Sequence, residues 1–264
     1  MMPRPIALIT GASSGLGAEF ARALAAQGAD LILTARREER LAALATKLQA
    51  EHGTHTDILT ADLATDAGVA QVKAKIVATP NLHWLINNAG FGMKGRFDRA
   101  AIDDLDRMHR LHVLAPLQLT HAALGGMLAR GAGAIINVAS VAGFVLVAGS
   151  VGYAATKSWL HVLSEGIYLE LRSARSKVRI QSLCPGYIVT EFHDVIGMDR
   201  ALMPGFLWLD PRFVVRESLR ALERNDLLVI PSWKYRLIVG VARRLPRHLR
   251  YAVAASVGRR TRRD

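Results

Sequence analysis

One cysteine, Cys184, is the only thiol in 264 residues. A lone thiol excludes an intramolecular disulfide framework and a multi-cysteine metal site, and a reducing, cytoplasmic setting fits; no metal ligands are expected among the site residues. Aromatic residues are scarce, at 6%, and few of them lie among the basic residues. With no recognisable binding module besides, nucleic acid is a disfavoured partner. The first residues, Met-Met-Pro-Arg-Pro-Ile, lack the apolar centre of a secretory signal. No charged side chain occurs from Gly131 to Thr156, a run long enough to span a bilayer. Asn137, Ser140, Gly143, Gly149, Ser150, Gly152 and Tyr153 interrupt it, and it reads instead as a buried strand followed by a loop. Acidic residues are also in short supply, 22 against 34 Lys and Arg, for a net charge of +12. Residues 234–264 hold one Lys, nine Arg and one Asp, or +9 of that charge. The rest of the chain is close to balanced.

What the chain does contain is a foldable composition, 51% hydrophobic and 21% charged, enough for one substantial core. Apolar runs of strand length occupy 6–10, 31–35, 56–61, 82–86, 133–140, 178–183 and 227–231. Helical stretches fall between them at 18–27, 38–51, 66–78, 98–130 (interrupted at Pro116 and Gly125-Gly126) and 153 to about 173. A further helix is expected from Pro211, capped by Asp210, to about Arg224. This alternation implies an α/β fold: a doubly wound, mostly parallel sheet with helices on both faces and ligand outside the strands' carboxyl ends. One domain, 1–233, carries it; 234–264 is expected to be a basic helical C-terminal extension.

Two clusters of chemistry stand on this frame. The first is Gly11-Ala-Ser-Ser-Gly15-Leu-Gly17, between the first strand and its helix. Glycines let a backbone turn tightly against a phosphate, and a helix N-terminus offers free N–H groups. At the tip of the second strand Ala35 stands where an acidic residue would bind a ribose 2′-hydroxyl, and Arg36-Arg37 follows. Arginine there suits a 2′-phosphate; alternatively the pair opens a solvated helix. Asp62 could contact an adenine amino group or cap the next helix, with Thr65 as a rival cap. The second cluster is Ser140, Tyr153 and Lys157. Tyr153 and Lys157 are four apart and so share one helix face. A free phenol has a pKa near ~10, and an adjacent cation favours its ionised form. Ser140, ending a buried strand, could hold a reacting oxygen while Tyr153 exchanges the proton of an alcohol.

The order Thr10-Gly-x-x-x-Gly15-x-Gly17, Asp62, Asn87-Asn-Ala-Gly90, Ser140, Tyr153-x-x-x-Lys157, Pro185-Gly186 resembles the short-chain dehydrogenase/reductase family over about residues 4–192. The resemblance implies a Rossmann-type sheet, a nicotinamide cofactor, hydride transfer to or from an alcohol or carbonyl, and a homo-oligomer, dimer or tetramer. It implies that Ser140 orients the substrate oxygen, that Tyr153 is the general acid/base, and that Lys157 lowers the Tyr153 pKa and holds the nicotinamide ribose. It places Gly11, Ser13, Ser14, Gly15, Leu16 and Gly17 at the cofactor turn, and Asp62, Leu63, Asn88, Ala89 and Gly90 on the adenosine side. Pro185, Gly186, Ile188 and Thr190 would flank the nicotinamide. With Arg36 and Arg37, the expected cofactor is NADP(H) in preference to NAD(H). His112 departs from the family pattern, standing where an Asn is usual. Either it serves a proton relay, or it is a packed helix residue while the relay runs through backbone and water.

Phe91, Phe144, Leu146, Tyr187, Phe192, Phe206 and Trp208 form the expected substrate wall, or else pack the core and a lid at 198–209. The substrate expected is a hydrophobic ketone or secondary alcohol, lipid-, steroid- or acyl-like. The rival readings are a nucleotide-binding sensor or scaffold that has lost turnover, and an isomerase or dehydratase on the same fold. Tyr235 to Val257 reads as two amphipathic helices split by Pro246. They would lie on an anionic membrane surface as a peripheral contact, dock on a neighbouring subunit, or stay solvated.

Overall fold

In the computed structural model, residues 4–192, 203–246, 248–252 and 254 are described. Among them Ile6–Thr10 (β1), Asp30–Ala35 (β2), Thr56–Thr60 (β3), Leu82–Asn87 (β4), Ala134–Val138 (β5), Arg179–Leu183 (β6) and Leu228–Val229 (β7) form one sheet. The strand order is β3-β2-β1-β4-β5-β6-β7, and every pair is parallel. The helices are α1 (Gly15–Ala26), α2 (Glu38–His52), α3 (Asp66–Val77), α4 (Ile102–His109), α5 (Ala115–Arg130), α6 (Val151–Ser173), α7 (Pro211–Glu223) and α8 (Trp233–Arg244). This is the expected Rossmann-type arrangement.

The side-chain period of the strands divides the core in two. Ala7 and Ile9 of β1 and Leu31 and Leu33 of β2 face one layer, with α1, α2, α7 and α8. Leu8 and Ile32 face the other, with α3, α5 and the end of α6. Successive strand residues point to opposite faces, so a sheet covered on both sides needs apolar residues throughout. Phe20 and Leu24 of α1 are fully buried, each contributing ~1.5–3 kcal/mol by removal from water.

Three local features differ from expectation. Strand β7 spans two residues rather than the expected five, at the sheet edge, and ends ahead of Pro231, which cannot donate to a ladder. Gly125-Gly126 lies inside α5. The interruption of 98–130 comes instead at Arg110–Leu114, a π-turn joining α4 to α5. Pro116 lacks an N–H, and its ring crowds the carbonyl four residues back, at His112, so the extra residue of a π-turn relieves that clash.

The π-turn directs His112 inward, 1% exposed. The Phe91 backbone N–H donates to its Nε2 at 3.1 Å, so Nε2 carries no proton. Nδ1–H then donates to Thr156 Oγ1 at 3.0 Å, and the Thr156 hydroxyl donates to the Tyr153 carbonyl at 2.9 Å. Both ring nitrogens are engaged, and neutral His112 ties the segment after β4 to α6. Burial first, then the charges of Lys157 and His109, hold its pKa well below the usual imidazole value.

The composition boundary after residue 233 falls at the first residue of α8, a helix that packs into the core. Tyr235 and Val239 of α8 are 4% and 3% exposed. The Tyr235 hydroxyl accepts from the Tyr187 N–H at 3.0 Å and donates to the Leu207 carbonyl at 2.8 Å. Its ring lies on Gly186 so closely that any Cβ there would overlap it. Helical geometry resumes at residue 248, beyond Pro246.

Because the folded pKa of His112 is depressed, the unfolded chain takes up the proton first. The stability this neutral imidazole contributes is complete above the unfolded value near ~6.5 and lost as pH falls below it. His112→Asn, which cannot titrate, should lose less stability between pH 7 and 5 than the parent, by up to ~1.4 kcal/mol per pH unit. Urea midpoints at both pH values measure this; equal losses would remove His112 from the acid response.

Candidate active site

The strand order reverses between β1 and β4, where a crevice opens beyond the carboxyl ends of the strands. Thr10, the last residue of β1, holds that opening together. Its hydroxyl donates to the Ile86 carbonyl at 3.2 Å and accepts from the N–H groups of Asn88 at 2.9 Å and Ala89 at 3.0 Å. The Asn88 side chain donates to the Thr10 carbonyl at 2.9 Å. Beneath it, Asn87 donates to Thr120 Oγ1 and Asn137 Oδ1 at 3.0 and 2.8 Å, and Asn137 donates to Ser164 Oγ at 2.9 Å. This buried ladder links β4, β5, α5 and α6, and leaving one amide unpaired would cost ~1–3 kcal/mol.

Gly11 and Gly15 turn the chain into α1 at φ 67° and 56°, a region that disfavours any residue with a Cβ. The helix begins at Gly15, three residues earlier than the apolar pattern implied, and Ser14 makes no side-chain cap. The first N–H groups of α1 are thus left for a ligand. Gly17 lies behind the turn rather than on the cleft wall; a Cβ there would overlap the Gly11 carbonyl. Gly11, Ser13, Ser14, Gly15, Leu16, Arg36, Arg37, Asp62, Leu63, Asn88, Ala89 and Gly90 all line one cleft.

Arg37 donates to Ser13 Oγ at 3.0 and 3.2 Å and to Ser14 Oγ at 2.9 Å, and pairs with Glu191 at 3.2 Å. Arg40 pairs with the same carboxylate at 2.8 Å. Hydrogen bonds from Arg40 and Arg37 hold the Glu191 carboxyl below its usual range. Thr65, not Asp62, caps α3, accepting from the Gly68 N–H at 3.1 Å. Asp62 accepts from the Ala64 N–H at 3.0 Å and from Arg107 at 2.7 Å.

Ser140, Tyr153 and Lys157 meet on the opposite side of the same cleft, with Pro185, Gly186, Ile188 and Thr190 beside them. Ser140 Oγ accepts from the Ala142 N–H at 3.1 Å and hydrogen bonds with Tyr153. Lys157 is 5% exposed, and its ammonium donates to the Val138 carbonyl at 2.8 Å and lies 5.7 Å from the centre of the Tyr153 ring. The expected lowering of the phenol does not appear here. Burial pushes Tyr153 up to about 12, against the Ser140 hydrogen bond, with the Cys184 thiol and Tyr187 adding to the rise. Burial also brings Lys157 down to about 8. Desolvation disfavours both charged forms, and with the ammonium held on a carbonyl it outweighs their attraction.

The cleft has a volume of about 790 Å³, within the range of small-molecule sites. Phe91, Tyr187 and Phe192 of the expected substrate wall line it. The other four do not. Phe144 packs on the core, edge-on to His161 and under Arg243. Leu146 is 53% exposed while its neighbours Val145 and Val147 face the cleft. Phe206 is 62% exposed with Lys234 over its ring, and Leu207 takes the wall position. Trp208 tilts against Tyr187, with ring centres 5.5 Å apart. In these loops the error is one of phase, which a loop sequence does not reveal. Met93, Lys94, Arg107, Met203, Tyr235 and Ile238 also line the cleft and went unforeseen; the last two arrive from α8. His112 lies behind the wall. Of the expected lid, 198–202 falls outside the described residues.

The sequence profile of the family described as short chain dehydrogenase matches residues 5–201. A short-chain dehydrogenase from Sphingobium yanoikuyae, solved in complex with NADPH, is 34% identical at a TM-score of 0.83, covering 90% of this chain and 93% of that one. A bulky-bulky ketone specific alcohol dehydrogenase from Comamonas testosteroni is 30% identical at a TM-score of 0.78, covering 93% and 96%. A short chain dehydrogenase/reductase from Burkholderia phymatum in complex with NAD is 25% identical at a TM-score of 0.81, covering 97% of each chain. With the cleft, the glycine turn and the Ser–Tyr–Lys cluster in place, the chain belongs to the short-chain dehydrogenase/reductase family and is an NAD(P)-dependent oxidoreductase.

Proposed function

We propose that this enzyme uses NADP(H) to reduce a bulky apolar ketone to a secondary alcohol, with Tyr153 as the general acid/base. One observation carries the reading: the Ser140–Tyr153–Lys157 cluster and the arginine-bordered glycine turn are opposite ends of a single cleft. The cradle fits the cofactor. Positive-φ Gly11 and Gly15 leave room for a pyrophosphate at the uncapped start of α1, and Lys157 would hold the nicotinamide ribose. Arg36 and Arg37 would hold a 2′-phosphate, which would compete with the Glu191 carboxylate for Arg37. When bound, the nicotinamide supplies the hydride.

The chain's own residues do the rest. Ser140 holds the carbonyl oxygen, and Tyr153 donates a proton to it as negative charge develops. A phenol at about 12 is protonated at neutral pH, as a group that donates a proton must be. Lys157, at about 8, is still charged at pH 7 and stabilises the phenolate left behind. Phe91, Phe192, Val145, Met203 and Leu207 make much of the remaining wall apolar, and the Comamonas relative takes bulky-bulky ketones. A homo-oligomer is part of the same reading, supported by exposed Leu117 and Leu128 on α5 and Val162 and Leu169 on α6.

Tyr153→Phe should lower kcat for a bulky aryl ketone with NADPH by ~10²–10⁴-fold, with NADPH binding by fluorescence unchanged. Intact turnover would end the proposed mechanism. Arg37→Ala should weaken NADPH binding by ~10–100-fold and leave NADH binding almost as it was. Tighter binding of NADH than NADPH by the parent would refute the cofactor preference. Reduction should fall as pH rises through about 8, where Lys157 loses its charge; a rate flat from pH 7 to 10 would contradict that role.

A further inference from the structure

We propose that the outward face of α8 docks on an anionic membrane surface. The helix has two apolar faces. Tyr235 and Val239 point inward and anchor it. Trp233, Leu237 and Val241, at i, i+4 and i+8, form a second stripe that is 64%, 59% and 50% exposed. A surface helix ordinarily buries one apolar stripe and turns polar residues to water; here the outer stripe stands largely exposed.

Its flanks are cationic. Arg236 donates to the Ile230 carbonyl at 3.3 Å, Arg244 to the Gly240 carbonyl at 3.4 Å, and Arg243 lies over the Phe144 ring. Among the described residues these three guanidinium groups meet carbonyls and a ring and no carboxylate. The apolar exposure continues beyond Pro246 in Leu249 and Tyr251, 46% and 51% exposed. Residues 234–264 together carry +9. An apolar stripe bordered by guanidinium groups is what lies in the plane of a headgroup layer. A second copy of the chain would bring the same excess of positive charge against itself, so self-association is the poorer match. No helix among the described residues is long and apolar enough to cross a membrane, so this one would rest on the surface. Ile238 of the same helix is 40% exposed and also lines the cleft, which sets the cleft beside the proposed contact. A ketone dissolved in the bilayer would then have a short way in, a consequence that rests on the apolar-substrate reading, whereas the docking itself does not.

The test is co-sedimentation of the full chain, without cofactor or substrate, with phosphatidylcholine vesicles that contain or lack phosphatidylserine. The parent is expected to pellet with the phosphatidylserine vesicles and be released by salt. Trp233→Ala/Leu237→Ala/Val241→Ala, and Leu237→Glu alone, should bind at least ~tenfold more weakly, with thermal melting and turnover of a soluble ketone unchanged. No pelleting of the parent, or equal pelleting of parent and variants, overturns the proposal. So does an oligomer that dissociates in the triple variant without vesicles, since the stripe would then be a subunit interface. A turnover defect in the parent would count against the proposed reaction and leave the vesicle result standing.

Discussion

The ammonium of Lys157, taken out of water and set on the carbonyl of Val138 at 2.8 Å, is the contact from which the site is built. It fastens α6 to the carboxyl end of β5 and thereby fixes Tyr153 one helical turn away against Ser140. A buried cation is tolerated only when hydrogen bonded, and β5 offers an acceptor because its last carbonyls run past the ladder. The same burial that secures the geometry raises the phenol to about 12 and brings the ammonium to about 8. At neutral pH the phenol therefore keeps its proton, and the ammonium is the nearer of the two to losing one.

Around that contact the fold replaces water by matched polar groups. Thr10 collects two backbone N–H groups at the β1–β4 opening, and Asn87, Asn137 and Ser164 relay bonds from sheet to helix. His112 belongs to this set. Its Nε2 receives the Phe91 N–H and its Nδ1 serves Thr156, which in turn serves the Tyr153 carbonyl. It holds together two segments that face the cleft, and it can do so only while neutral.

Helix α8 does two jobs with one sequence. Its inner face closes the cleft with Tyr235 over Gly186, and its outer face repeats the apolar spacing toward solvent. The first explains why Pro185-Gly186 needs glycine; the second leaves Trp233, Leu237 and Val241 half or more exposed.

Most of the frame was legible in advance because it rests on local rules. Alternating apolar runs and helices predicted the parallel sheet, since strands covered on both faces must be apolar throughout. Gly11 and Gly15, Asp210 before Pro211, and the spacing of Tyr153 and Lys157 are signals within a few residues. The π-turn at Arg110–Leu114 was missed because its cause, Pro116, acts backward on a carbonyl and reads as a break at the proline itself. Phe144, Leu146, Phe206 and Trp208 were assigned to the wall on hydrophobicity alone, and a loop without period does not say which of two neighbours faces inward. By itself, then, the sequence determined the sheet, the glycine turn ahead of α1 and the spacing that sets Tyr153 and Lys157 on one helix face. Only tertiary structure decided the protonation balance and the cleft's far wall. Both depend on how deeply a group is removed from water and on which distant helix, here α8, covers it.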